Sequence, residues 1–103
     1  MSDIITDTKT ITIQVITHGN VSIEGLEYPT LVESGEDFGI SYTAINNGGK
    51  DSCWGHIKMG ATIVSLSRWD AVLDKNGTTT SEVLIDGGIT SDATFIIEVG
   101  YIK

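Results

Sequence analysis

With 103 residues, the chain fits one domain and has no room for two. A hydrophobic fraction of 40% belongs to a chain that folds around a core, not to a disordered one. A net charge of −8, with only six Lys and Arg scattered singly, argues against nucleic acid and anionic membranes as partners, since both attract clustered positive charge.

Thr, Ile and Gly are abundant and charged residues make up 19%, a balance that favours strands and tight turns over helices. Cys53 is the only cysteine, so no intramolecular disulfide forms, which argues against a disulfide-stapled secreted scaffold. Met1-Ser2-Asp3-Ile4 has neither the basic nor the apolar region of a signal peptide. No apolar run approaches the roughly 20 residues of a membrane helix, so membrane insertion is not expected. The compartment stays open, with extracellular or virion-associated use among the options.

The dominant pattern has period two. Residues 10–17, Thr-Ile-Thr-Ile-Gln-Val-Ile-Thr, put Ile11, Ile13 and Val15 on one face and Thr10, Thr12 and Gln14 on the other. They read as a half-buried strand, broken by His18-Gly19-Asn20. Val21 and Ile23 open a second run that ends near Tyr28-Pro29, where proline removes a ladder donor. The clearest strand covers residues 37–45, with Phe38, Ile40, Tyr42 and Ala44 alternating with Asp37, Gly39, Ser41 and Thr43. It lies between Ser34-Gly35-Glu36 and Asn46-Asn47-Gly48-Gly49, both turn sequences.

Further strands are expected through residues 53–58 and 62–66. Residues 67–77 are ambiguous: Asp70 to Asp74 has the composition of one helical turn but lacks the length of a helix. Asn76-Gly77 marks a turn, residues 79–85 a strand stopped by Asp86-Gly87-Gly88, and the last run sets Phe95, Ile97, Val99 and Tyr101 against Glu98 and Gly100. Short strands separated by turns indicate a sandwich or barrel.

From about Val21 onward, the order of signals resembles the small immunoglobulin-like modules of bacterial, archaeal and phage proteins, including the cell-adhesion-related (CARDB-like) type. The resemblance is carried by the Gly35-Glu36 pair, the alternating strand to Ile45, the Asn46-Asn47-Gly48 turn, a Trp-bearing strand at Trp54, a Thr-rich strand from Thr78 to Val83, and Glu98-Val99-Gly100 near the end. It covers about four fifths of the chain and leaves residues 1–18 outside. It implies a spacer, adhesion or assembly module. The cysteine pair and tyrosine-corner spacing of antibody domains are absent.

Candidate chemistry is sparse. Cys53 and His56 are three apart, so on a strand they face opposite ways and form no thiol–imidazole pair. Asp74-Lys75-Asn76-Gly77 is a fragment of a calcium loop, with Asp70, Asp86 and Asp92 as further oxygen sources, but a plain Asn-Gly turn fits better. Gly48-Gly49-Lys50 lacks the Walker spacing and reads as a hairpin loop. Two glycosylation sequons, at Asn20 and Asn76, matter only in a eukaryotic secretory pathway. Of the two tryptophans, Trp54 is expected in the core; Trp69, in a loop-like stretch, is balanced between packing and, with Asp70 and Asn76, contacting a ligand.

These readings converge on a single all-β domain over residues 1–103, an immunoglobulin-like β-sandwich of seven to eight antiparallel strands. Its expected core comprises Ile13, Ile23, Phe38, Ile40, Tyr42, Trp54, Ile57, Val83, Ile85, Phe95, Ile97 and Val99. The expected function is a non-catalytic structural or interaction module of a surface, appendage or virion-type assembly. It has no cofactor, no metal site and no catalytic residues, and its partners are other protein subunits or further copies of itself. The alternative is a carbohydrate- or other ligand-binding module using loop aromatics and carboxylates. The strand over 10–17, apolar and uncharged, must be covered. It either pairs within its own domain, the favoured option, or adds Ile11, Ile13 and Val15 to a neighbour's sheet.

Overall fold

Wherever β-branched and aromatic residues alternate with small or polar ones after residue 20, a strand forms, and none of the described residues is helical. The computed structural model describes residues 3–103. Seven strands follow in chain order: β1 (Val21–Glu27), β2 (Phe38–Asn46), β3 (Asp51–Met59), β4 (Thr62–Ile63), β5 (Trp69–Leu73), β6 (Thr78–Ile85) and β7 (Phe95–Tyr101). All pairings are antiparallel. One sheet has the order β1-β2-β6. In the other, β3 is central, with β7 on one edge and β5 followed by β4 along the opposite edge.

The core lies between the sheets. Ile40, Tyr42 and Ala44 of β2 and Val83 of β6 meet Ile57 of β3, and Ile23, Phe38, Trp69, Ile85, Phe95, Ile97 and Val99 pack around them. The expected strand over 62–66 shortens to Thr62–Ile63, because Ser67 takes over the pairing with β3. Its buried hydroxyl accepts from the Ile57 N–H at 3.1 Å and donates to the Ile57 carbonyl at 3.2 Å. Together with the Val64 N–H, which donates to the Ile57 carbonyl at 2.8 Å, that side chain completes the ladder where β4 and β5 leave a gap. The ambiguous stretch at 67–77 resolves as strand β5, without a helical turn.

The expected place of Trp54 is corrected, and Trp69 resolves to packing. The register of β3 turns Cys53, Gly55 and Ile57 inward, so Trp54 falls on the outer face and is not part of the core. There its ring lies against Gly100 and under the Arg68 guanidinium, 4.8 Å from the ring centre. Trp69 instead packs on the core, and its indole N–H donates to the Tyr42 hydroxyl at 2.8 Å. Gly55, its register partner on β3, makes this possible: the indole fills the space a Cβ would take.

The second correction concerns the N-terminus. No strand forms over 10–17, and Ile13 is not a core residue: Ile11, Ile13 and Val15 are 80%, 84% and 83% exposed. The favoured pairing within the domain is absent: no ladder includes residues 10–17, and the hydrogen bonds that hold residues 18–20 point the segment away from the sheet edges. Residues 3–15 instead leave the body as an extended arm, with Ile16 still lying against Gly49, and the molecule measures 87 × 24 × 20 Å. A nine-residue strand spans only about 30 Å, so most of the remaining length is arm.

Candidate functional site

The arm starts from a rigid root. Position 46 continues the inward parity of Ile40, Tyr42 and Ala44, which forces an asparagine into a fully buried site. Every polar atom of that side chain is used. Asn46 Oδ1 accepts from the N–H groups of Asn20 and Gly48, each at 3.0 Å, and Nδ2 donates to the carbonyls of Gly49 and Leu73 at 2.9 and 3.0 Å. Asp51 accepts from the Gly19 N–H at 3.0 Å, and the His18 ring stacks on Tyr101 at 5.0 Å. The Gly49 N–H donates to the His18 carbonyl and the Asn47 N–H to that of Asn20. Gly48 admits the root to this position: a Cβ there would sit 2.6 Å from the Asn20 nitrogen and the His18 oxygen. Residues 18–20 are thus held by the β2–β3 turn and the end of β7.

Sequence reading took Asn46 to Gly49 as a turn and missed the anchor. The available signal was the asparagine on the inward face of an alternating strand, since a buried amide needs partners.

Beyond the root, the arm carries a period-two apolar face and no charge between Thr10 and Thr17. Nothing covers it. At the opposite pole of the body, a groove of about 800 Å³ opens between the end of β1 and the start of β7. Leu26, Tyr28 and Leu31 line one side, Phe95 and Ile97 the other, and the core residue Ile40 is reached from it. Leu31 is 91% exposed at this site. Among the described residues β7 pairs only with β3, so its outer edge is unpaired.

The weaker candidate ligand residues are not brought together. Trp69 faces the core, whereas Asp70, next along β5, faces outward beside Trp54 and is held by Arg68 at 2.8 and 3.1 Å. That guanidinium keeps the Asp70 carboxyl below its ordinary range. Asn76 lies in the turn before β6, in the left-handed region at φ 66°, and its N–H donates to the Asn46 carbonyl. Asp74 shares that turn, while Asp86 and Asp92 lie beyond the far end of β6, so these oxygens do not surround one point.

Cys53 is fully buried, and burial pushes its thiol above the ordinary value. His56 lies on the outer face of β3, as the spacing expects, and its Nε2 is 2.9 Å from Glu98 Oε1. Lys58 reaches the same oxygen at 3.1 Å. The His56 hydrogen bond first, and the Lys58 bond second, hold the Glu98 carboxyl below its usual range. Buried thiol and outward imidazole occupy opposite faces of β3.

No protein-family model matches the chain, and comparisons with curated proteins and with solved structures return no significant match.

Proposed function

We propose that the chain is a non-catalytic, immunoglobulin-like module that takes its place in a surface, appendage or virion-type assembly through its N-terminal arm. The observation that carries this reading is the arm itself: a rigidly rooted, uncharged segment with exposed Ile11, Ile13 and Val15 on one face. A solitary domain gains nothing from such a segment and risks aggregation; a component of an assembly gains a connector. The immunoglobulin-like assignment draws support from the strand order. Sheet β1-β2-β6 facing β5-β3-β7 corresponds to strands A-B-E opposite C′-C-F of that fold, with strand G lacking a counterpart.

Light scattering coupled to size exclusion, on the full chain and on a chain lacking residues 1–17, tests the reading. The full chain associates as concentration rises, and the shortened chain stays monomeric with an unchanged circular-dichroism spectrum. A full chain that remains monomeric up to millimolar concentration overturns it.

A further inference from the structure

We infer that the arm of one copy completes the sheet of the next: residues 9–15 pair antiparallel with the free edge of β7 and insert Ile11, Ile13 and Val15 into the groove between β1 and β7. This rests on the assembly reading above and identifies both the partner, a second copy of this chain, and the acceptor site.

Three observations converge on it. The first is fit. The seven residues 9–15, uncharged from Thr10 on, match in length the seven residues of β7. The inward residues of β7, Phe95, Ile97 and Val99, are only half-buried, as are Val21 and Ile23 of β1 across from them. The core is unfinished along this flank, and the arm carries three apolar side chains at the spacing of one strand face. With those three turned inward, Thr10, Thr12 and Gln14 face water.

The second is the state of the edges. β1 is interrupted by a bulge between Glu24 and Glu27, and the β4–β5 edge by the turn ending at Ser67. Edge strand β6 begins with Thr78, Thr79, Thr80 and Ser81 and carries Glu82. β7 has neither bulge nor proline; its one charge, Glu98, is taken up by His56 and Lys58 of β3, and its Phe95–Val99 stretch is rich in apolar β-branched residues, where β6 offers threonines. It is the edge least protected against strand addition.

The third is polarity. β7 runs from the groove pole, at Phe95, to the root pole, at Tyr101. An arm folded back onto its own body would run parallel to β7 and would have to reverse direction against the hydrogen bonds that hold residues 18–20. An arm arriving from a copy stacked beyond the groove pole runs antiparallel, the pairing found throughout this fold. Val15 then faces Phe95, Ile13 faces Ile97 and Ile11 faces Val99. Root and groove lie at opposite poles, so the contact is head-to-tail and propagates into a filament or a large ring.

The test uses two full-length chains in a Cys53→Ala background, one carrying Ile13→Cys and the other Ile97→Cys, mixed and oxidised under mild conditions. Direct opposition across an antiparallel pair places the two sulfurs within disulfide reach. The expected result is a disulfide-linked heterodimer from the mixture, and a ladder of multimers from a chain carrying both substitutions. Oligomers by light scattering without this cross-link overturn the acceptor site while sparing the assembly reading. A cross-link confined to one chain overturns the exchange between copies. A monomer at every concentration sinks both. Ile13→Asp serves as the second variant, because so exposed a residue cannot disturb the fold: association weakens by about tenfold or more with an unchanged unfolding midpoint. Unweakened association of that variant also overturns the proposal.

Discussion

On the flank formed by β2, β3 and β5, the side chains of Tyr42, Ala44, Cys53 and Ile57 are almost wholly removed from water, and Trp69 finds the Tyr42 hydroxyl. On the flank formed by β1 and β7, Val21, Ile23, Phe95, Ile97 and Val99 stay half-buried beside an open groove. The first flank behaves as a finished interior: the Trp69 indole N–H and the Ser67 hydroxyl both have partners, and the glycine at 55 is shaped to the indole. The second flank has the composition of an interior but lacks the last layer. Stability should therefore be concentrated on one side of the molecule, and association on the other.

Truncation on each flank breaks or sharpens that contrast. Ile57→Ala opens a cavity in the closed flank and costs about 4 kcal/mol, whereas Ile97→Ala, at a site already half open, costs roughly half as much. Urea midpoints of the two variants under monomeric conditions measure the difference, and equal losses would show the flanks to be equivalent. Next in size, Asn46→Ala leaves the Asn20 and Gly48 N–H groups without their acceptor and costs about 3 kcal/mol. Hydrogen exchange at residues 19 and 20 should rise in the same variant.

Ser67→Ala strips the Ile57 N–H of its partner within the closed flank and costs about 2 kcal/mol, read from the same unfolding curves. The smallest effect belongs to pH. The folded Glu98 carboxyl titrates below its unfolded value, so its contribution is fully present above the ordinary glutamate pKa of about 4.3 and is lost as pH falls through the folded value. Glu98→Gln should flatten this part of the stability profile between neutral pH and about pH 3, while leaving the high-pH side alone.

Much of the all-β architecture was legible in the alternation after residue 20, because burial on one face imposes period two directly on the residues. The strands around Phe38–Ile45 and Phe95–Tyr101 fall where the pattern put them. Sequence misassigns Trp54 and leaves Trp69 undecided because volume and apolarity do not state parity: Trp54 lies one residue off the inward set of β3, and only pairing with β5 reveals the vacancy over Gly55 that Trp69 fills. Residues 10–17 show the converse limit. Their pattern specifies a strand with one wet face and one dry face, but a local pattern does not say whose sheet supplies the dryness. The root went unseen for a similar reason, since Asn46 acts through groups at residues 20, 48, 49 and 73 that only the fold assembles.

The anchoring of residues 18–20 also has a mechanical meaning. A pull along the arm reaches His18 to Asn20 before it reaches β1, and there the load divides among hydrogen bonds to Asn46, Asn47, Gly49 and Asp51. Those residues bracket the β2–β3 turn, so tension passes into the two longest strands, one from each sheet, instead of peeling β1 from its neighbour one bond at a time. A chain linked to its neighbours through this segment would yield under force as a whole body, not as a fraying end.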